Sequence, residues 1–361
     1  MAAAIATPAP RPPLLYALHS GNLYGTERMG LATARGLGDE YAPTILAPPG
    51  PALETAAPLG LGVRAFTSAR DFARQVRPLI AGHRRVAFVA TAVVHSLACL
   101  AWNLAYRREI THLHVVHGGA AERDSYGRKR LLNRFDVVFV AVSSFVRDRL
   151  VAHGVRPDRI VVIENFLDPA RAGGAPTRPP FDAPGVRRLV VVSRIDPQKR
   201  IDLLLDALEG SADLARLEVR ILGTGLRLDE MRARARRRHP NVEFVGFTPD
   251  AAPELAAADL LVHLCPTEPF GLAILEAMAA GLPVLVPDAG GAGALIEDGV
   301  SGFHFTADDP HSLATQLRRL AGAPAAELNR VVRGGRTALD TRFSPERRIA
   351  DYRRLLHGEH S

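Results

Sequence analysis

A chain of 361 residues, 47% hydrophobic and 23% charged, has the proportions of a folded globular protein and room for about two domains. Its formal net charge is +7, and nearly all its cations are arginine, with lysine only at Lys129 and Lys199. Such a balance reflects either an arginine-biased genome or a basic surface for an anionic membrane, acidic glycans or nucleic acid, while the lack of any run of about 18 uncharged apolar residues excludes a membrane-spanning helix.

Residues 1–13, MAAAIATPAPRPP, have no basic start and no sustained apolar core, so they read as a disordered leader and not as a signal peptide. From residue 14 short apolar strands alternate with helical stretches. LLYALH (14–19), PTILAP, RAFTSA, VAFVAT, HLHVVH and VVFVAV are the strands, with helices near 26–37, 69–82, 96–107, 122–134 and 144–153 between them, and RIVVIENF closes the half. This alternation predicts a doubly wound parallel sheet covered on both faces. Residues 167–186 hold five prolines and three glycines without periodicity, which marks an interdomain linker over 169–186. A second alternation follows: LVVVS (189–193), a helix near 200–209, LEVRILG, a helix near 226–238, VEFVGF, and the strands 260–264 and 284–286 around a helix over about 270–280. After about residue 306 only helices are expected, over 309–321, 323–340 and 344–357. The fold class is therefore α/β, two Rossmann-like doubly wound domains facing a cleft.

Several polar residues fall just past strand ends, where ligands bind in such sheets. Glu268 follows the strand 260–264. Phe270, Gly271 and Leu272 open the next helix, whose free N-H groups make an anion site. Glu276, eight positions after Glu268, lies among Ala273, Ala277 and Ala280, and faces either water or something packed close. Arg194 and Lys199 follow the strand 189–193; an arginine fork and a compact ammonium together can neutralise a diphosphate. Gly223 and Gly225 form a GTG turn after LEVRIL, His117 leaves a strand ahead of two glycines, and Gly290-Gly291 can bring backbone close to a ligand. His95 and Glu27 read better as structural residues, Glu27 favouring a helix dipole. The runs at Arg107-Arg108, Arg128-Lys129-Arg130 and Arg232–Arg238 read as solvated helix faces, with Arg128–Arg130 as the one that could meet membrane phosphates or a lipid diphosphate. No interleaved aromatics accompany them, so no nucleic-acid partner is expected. No metal site is expected either, because Asp-x-Asp is absent and Cys and His are not clustered. Cys99 and Cys265 read as buried thiols of a reducing compartment, which gives a cytoplasmic location.

The stretch EPFGLAILEAMAAGLPVLVPDAGG (268–291) resembles the signature of the retaining GT-B glycosyltransferases, the large family-four group (glycosyl transferases group 1) that uses nucleotide-sugar donors. The resemblance implies that Glu276 binds the ribose, that Glu268 and His117 lie against the donor sugar, and that Arg194 and Lys199, in an Arg-x-x-x-x-Lys element, grip the diphosphate. It also places Gly223 and Gly225 near the nucleotide and the loop SGNLYGTERM (20–29) by the acceptor. A C-terminal domain over 187–342 would hold the donor, the domain 14–168 the acceptor, and the segment 343–361 would cross back onto the first domain. Departures from the pattern are Ser193 and Tyr24 where glycine is commoner, Leu264-Cys265 for Pro-Ser, and Ala294 for a glutamate.

The expected function is metal-independent, cofactor-free hexosyl transfer with retention, from a nucleoside-diphosphate sugar to a glycan, lipid-linked or small-molecule acceptor. Peripheral contact with an anionic membrane would accompany it. The rivals are a sugar-nucleotide epimerase or a phosphorylase on the same fold, and a non-catalytic basic adaptor.

Overall fold

The computed structural model describes residues 11–119, 125–169 and 176–359. Most of the leader, the start of the 122–134 segment and residues 170–175 of the linker lie outside the described residues.

The first lobe holds seven parallel strands in the order β3-β2-β1-β4-β5-β6-β7. They are β1 (Pro13–Ala17), β2 (Ala42–Ala47), β3 (Gly62–Ala65), β4 (Arg85–Ala90), β5 (Glu109–Val116), β6 (Val138–Ala141) and β7 (Ile160–Val162). Helices α1 (Gly25–Gly36), α2 (Pro51–Ala56), α3 (Ala69–Ala81), α4 (Val93–Tyr106) and α5 (Ser144–Ala152) connect them. The second lobe is a six-stranded parallel sheet in the order β10-β9-β8-β11-β12-β13. Its strands are β8 (Arg188–Val192), β9 (Glu218–Leu222), β10 (Val242–Gly246), β11 (Leu260–Val262), β12 (Val284–Pro287) and β13 (Phe303–Phe305). Its helices are α6 (Ile201–Leu208), α7 (Leu228–Arg238), α8 (Ala252–Ala257), α9 (Leu272–Ala279), α10 (Gly290–Leu295), α11 (Pro310–Ala321) and α12 (Ala325–Thr341), and α13 (Pro345–Leu356) closes the chain.

The central strands are apolar without alternation because both sheet faces are covered. Every residue of β1 and β6 is buried. In the first sheet Leu15 of β1 lies between Thr44 of β2 and Phe88 of β4; in the second, Leu189 of β8 lies between Val219 of β9 and Leu260 of β11. Strand order reverses at these two places, so a crevice opens beyond the carboxyl ends of the strands there. Asp259 pins the returning linker: its buried carboxylate accepts from Arg178 at 3.0 Å and from the amides of Arg187 and Arg188 at 3.0 and 2.9 Å.

Gly290-Gly291, which follows a strand like the other glycine turns, is the start of α10. Two local expectations are corrected. The described part of the 122–134 segment is a 3-10 helix over Gly127–Arg134. Tyr126, Lys129 and Leu132 are buried at a spacing of three, which suits three residues per turn better than 3.6. Ala277 on α9 and Ala280 just after it are buried with Ile274, Leu275 and Met278, so the face around Glu276 is narrower than its alanines implied.

Helix α13 packs on the first lobe, where Ile349 closes on Gly36 of α1 and Arg353 pairs with Asp39 at 2.6 Å and Glu40 at 3.1 Å. One apolar core runs through Tyr16, Leu37, Phe270, Ile274, Phe343 and Tyr352 and so joins the lobes. Arg342 adds a fork on Glu164.

His95, His112, His114 and His263 are shut into this structure, and His117 is partly so. Ser96 Oγ lies 2.9 Å from His114 Nδ1 and 3.0 Å from His112 Nε2. Burial, before any neighbouring charge, lowers the pKa of His112 and His117 to about 3 and of His95 and His263 to about 4, and lowers that of His114 as well. Below the ordinary value of 6.5 the unfolded chain takes protons that the folded chain refuses, so stability is full above pH 6.5 and falls as pH drops toward 4. The expected loss at pH 5.5 is on the order of 1 kcal/mol per histidine, several in sum. Denaturant midpoints followed from pH 7.5 to 5 check this; a flat profile contradicts it.

Candidate active site

Loops from the carboxyl ends of β1, β5, β8 and β11 meet in one crevice between the lobes. It encloses about 280 Å³, and its wall includes Tyr24, His117, Asn165, Arg194, Lys199 and Glu268. The lobes touch at its edge, where Ser143 Oγ donates to the Pro269 carbonyl at 2.6 Å.

Lys199 ends a 3-10 turn (Pro197–Lys199) between β8 and α6. Its ammonium donates to Glu268 Oε2 at 2.5 Å, with the two side chains only 16% and 14% exposed. Burial disfavours both charges, but the pair outweighs it: Glu268 holds Lys199 above its ordinary pKa, and Lys199 with His263 holds Glu268 below the usual carboxylate value. Each charge persists because the other is there. His263 Nε2 lies 3.5 Å from the same carboxylate oxygen. Gly291 N donates to the Glu268 carbonyl at 2.7 Å, and Gly290 and Gly291 lie so close behind Glu268 and Pro269 that a side chain at either would strike backbone.

Arg194 lines the crevice with a half-exposed guanidinium, paired with buried Asp196 at 2.7 Å. Asp196 also accepts from Leu226 N at 3.1 Å, which ties the β8 and β9 loops together. Helix α9 starts at Leu272 behind Gly271, whose φ is 104°, and no side chain caps it. Its first amides therefore face the crevice as an anion site. The wall thus sets two cations and a helix N-terminus around one carboxylate, an arrangement that can hold a diphosphate and meet charge that develops on it.

The remaining candidates fall in different places. Phe270 lines the crevice, while its ring is buried in the core against Phe343, centroids 6.0 Å apart. Glu276 is half-buried one turn beyond Leu272 and is not on the crevice wall. Gly223 and Gly225 lie under the 193–195 loop that carries Arg194, not on the wall. His117 is on the wall, with its Nε2 covered and without a hydrogen-bond partner among the described residues. Glu27 caps α1 by accepting from Tyr24 N at 3.2 Å, and His95 packs between Phe66 and Phe72. Both cysteines are buried and unpaired.

Sequence reasoning missed His263, Asn165 and Thr267. A histidine inside an apolar strand five positions before a glutamate was the available signal for the first. A polar residue at the end of RIVVIENF was the signal for Asn165. Beside the crevice a second cavity of about 370 Å³ shares His117 and Gly118 with it and is lined by His19, Thr91, Val94, Arg128 and Lys129, all from the first lobe.

Two Rossmann-like lobes with such a crevice between them define the GT-B class of proteins. The family described as Glycosyltransferase Family 4 matches residues 23–171, and that described as Glycosyl transferases group 1 matches residues 186–322. The chain belongs to this family of glycosyltransferases. Anabaena HepE, crystallised with UDP and glucose, superposes with a TM-score of 0.79 at 21% identity, over 96% of this chain and all of that one. A Rickettsia africae glycosyltransferase gives 0.77 at 17%, over 97% and 98% of the two chains. At these identities the likeness establishes the fold. Among curated proteins, a D-inositol 3-phosphate glycosyltransferase of Nocardia farcinica is 30% identical over 56% of this chain and 50% of its own. A Mycobacterium tuberculosis glycogen synthase is 30% identical over 62% and 55%. The chain spans about half the length of the curated relatives it matches. Among the described residues no helix is long and apolar enough to cross a membrane.

Proposed function

We propose that this protein transfers a hexosyl unit from a nucleoside-diphosphate sugar to a glycan, lipid-linked or small-molecule acceptor, with retention of configuration and without a metal. The observation that carries the reading is the buried Lys199–Glu268 pair facing Arg194 and the uncapped start of α9 in one crevice. The donor diphosphate binds Arg194, Lys199 and the amides of Gly271 and Leu272. The sugar lies against Glu268 and His117, whose neutral, covered Nε2 accepts or donates one hydroxyl bond. Glu276 reaches the ribose from the next turn of α9. The bond from the anomeric carbon to the phosphate oxygen breaks as the acceptor oxygen bonds that carbon on the same face, and the acceptor proton passes to the departing phosphate. Fixed cations and amides stabilise the charge that grows on it, and contact between the lobes excludes water. HepE was crystallised with UDP and glucose, which makes uridine diphosphate hexoses the first donors to test.

Thermal unfolding in a panel of nucleotide sugars tests the reading. A true donor at about 100 times its Kd adds roughly 2.7 kcal/mol, a rise of about 5–10 °C for lobes of this size. The same donor is slowly hydrolysed when no acceptor is present. Glu276→Ala is expected to weaken donor binding about tenfold, the cost of one lost hydrogen bond to a charged group. A panel that shifts nothing and is not hydrolysed sinks the proposal.

A further inference from the structure

Helix α4 is apolar on both sides. Its inner side carries His95, Ser96 and Cys99, all buried, with Leu100 and Trp102 packed on the core, while its outer side carries Val94, Leu97, Ala101 and Leu104, with Leu104 83% exposed. None of its 14 residues is charged. A surface helix normally turns charged residues to water, and while a single exposed leucine needs no explanation, a stripe at helical spacing does.

The neighbouring 3-10 helix Gly127–Arg134 extends this face. Leu131 and Phe135 are exposed there, 54% and 40%. Arg130 and Arg134 stand beside them, and Arg107 follows α4, all three exposed and without an ion pair among the described residues. Neither α4 nor the segment 127–135 contains an Asp or Glu. We infer that this face docks on an anionic lipid surface, the stripe entering the interface and the arginines meeting headgroup phosphates. Apolar side chains flanked by cations gain from both terms at such a surface. A second copy of the chain is a poorer occupant, because it would bring the same uncompensated arginines against these.

The docking stands on this surface alone. Its consequence rests on the transfer reading: Val94, Arg128 and Lys129 also line the second cavity, so docking turns that cavity toward the bilayer and makes the acceptor a lipid-borne one.

The test is sedimentation of the full chain with vesicles of phosphatidylcholine, alone or with about one third phosphatidylglycerol. Partitioning onto the mixed vesicles, at least roughly tenfold above the neutral ones and reversed by salt, is expected. Leu97→Glu/Leu104→Glu and Arg130→Glu/Arg134→Glu should each reduce it by about tenfold or more with unchanged thermal unfolding. No binding to anionic vesicles, binding unchanged in both variants, or a dimer in sedimentation velocity that Leu104→Glu dissolves would each overturn the inference. Donor hydrolysis without acceptor, expected to be the same in both variants as in the parent, reports on the transfer reading separately.

Discussion

Lys199→Ala is expected to lower transfer by about 10²- to 10³-fold, chiefly in kcat, as removal of a single fixed donor to developing negative charge does elsewhere. The same substitution should also lower stability. Glu268 is left largely buried, with His263 3.5 Å away and the half-exposed Arg194 as the remaining cation of the crevice, and stripping the partner from a buried charge costs about 3–5 kcal/mol. The two effects separate in a second variant. In Lys199→Met/Glu268→Gln neither charge remains, so the melting temperature should recover most of its loss while transfer stays low. Double-mutant analysis of unfolding should then give a coupling of at least about 1 kcal/mol. Recovery of transfer in the double variant would mean that the pair is structural and the cation is not used.

The second large effect is expected at Gly223. Its φ is +135°, and a Cβ there would lie 1.9 Å from the Ser193 carbonyl. Alanine must therefore strain its own backbone and push away the loop that carries Arg194, which together costs roughly 2–6 kcal/mol. Gly210 supplies the control, since its φ is +72° but nothing lies within 4 Å of an added Cβ; alanine there should cost about 1–2 kcal/mol. Equal melting temperatures for the two variants would show that the close approach is not sensed. Gly223→Ala should also weaken donor binding in whatever fraction still folds, because Arg194 moves with the loop.

Much of this architecture was legible in the sequence for a simple reason. A parallel sheet covered on both faces demands uninterrupted apolar runs, and VVFVAV and LVVVS could hardly be anything else. The crevice was legible in outline because polar residues that follow such runs sit at strand ends. What periodicity could not give was the meeting of Lys199 with Glu268, 69 positions apart, which the family resemblance only implied. His263 was passed over because a histidine in a buried strand has no local signature of a charged neighbour. Phe270 and Gly223 also carry work that the motif does not spell out: the Phe270 ring packs in the core while the residue lines the crevice, and Gly223 makes room for the loop that carries Arg194. Helix α4 was legible as a helix, but a segment without a single charge carries no pattern that says which side meets solvent.

The late position of α13 bears on how the chain is made. Ile349, Tyr352, Leu355 and Leu356 complete the apolar interior of the first lobe, yet they follow every strand of the second. A ribosome adding about 5–20 residues per second therefore leaves the nascent first lobe with an uncovered greasy flank for roughly 10–40 s, a window in which chaperones have something to hold.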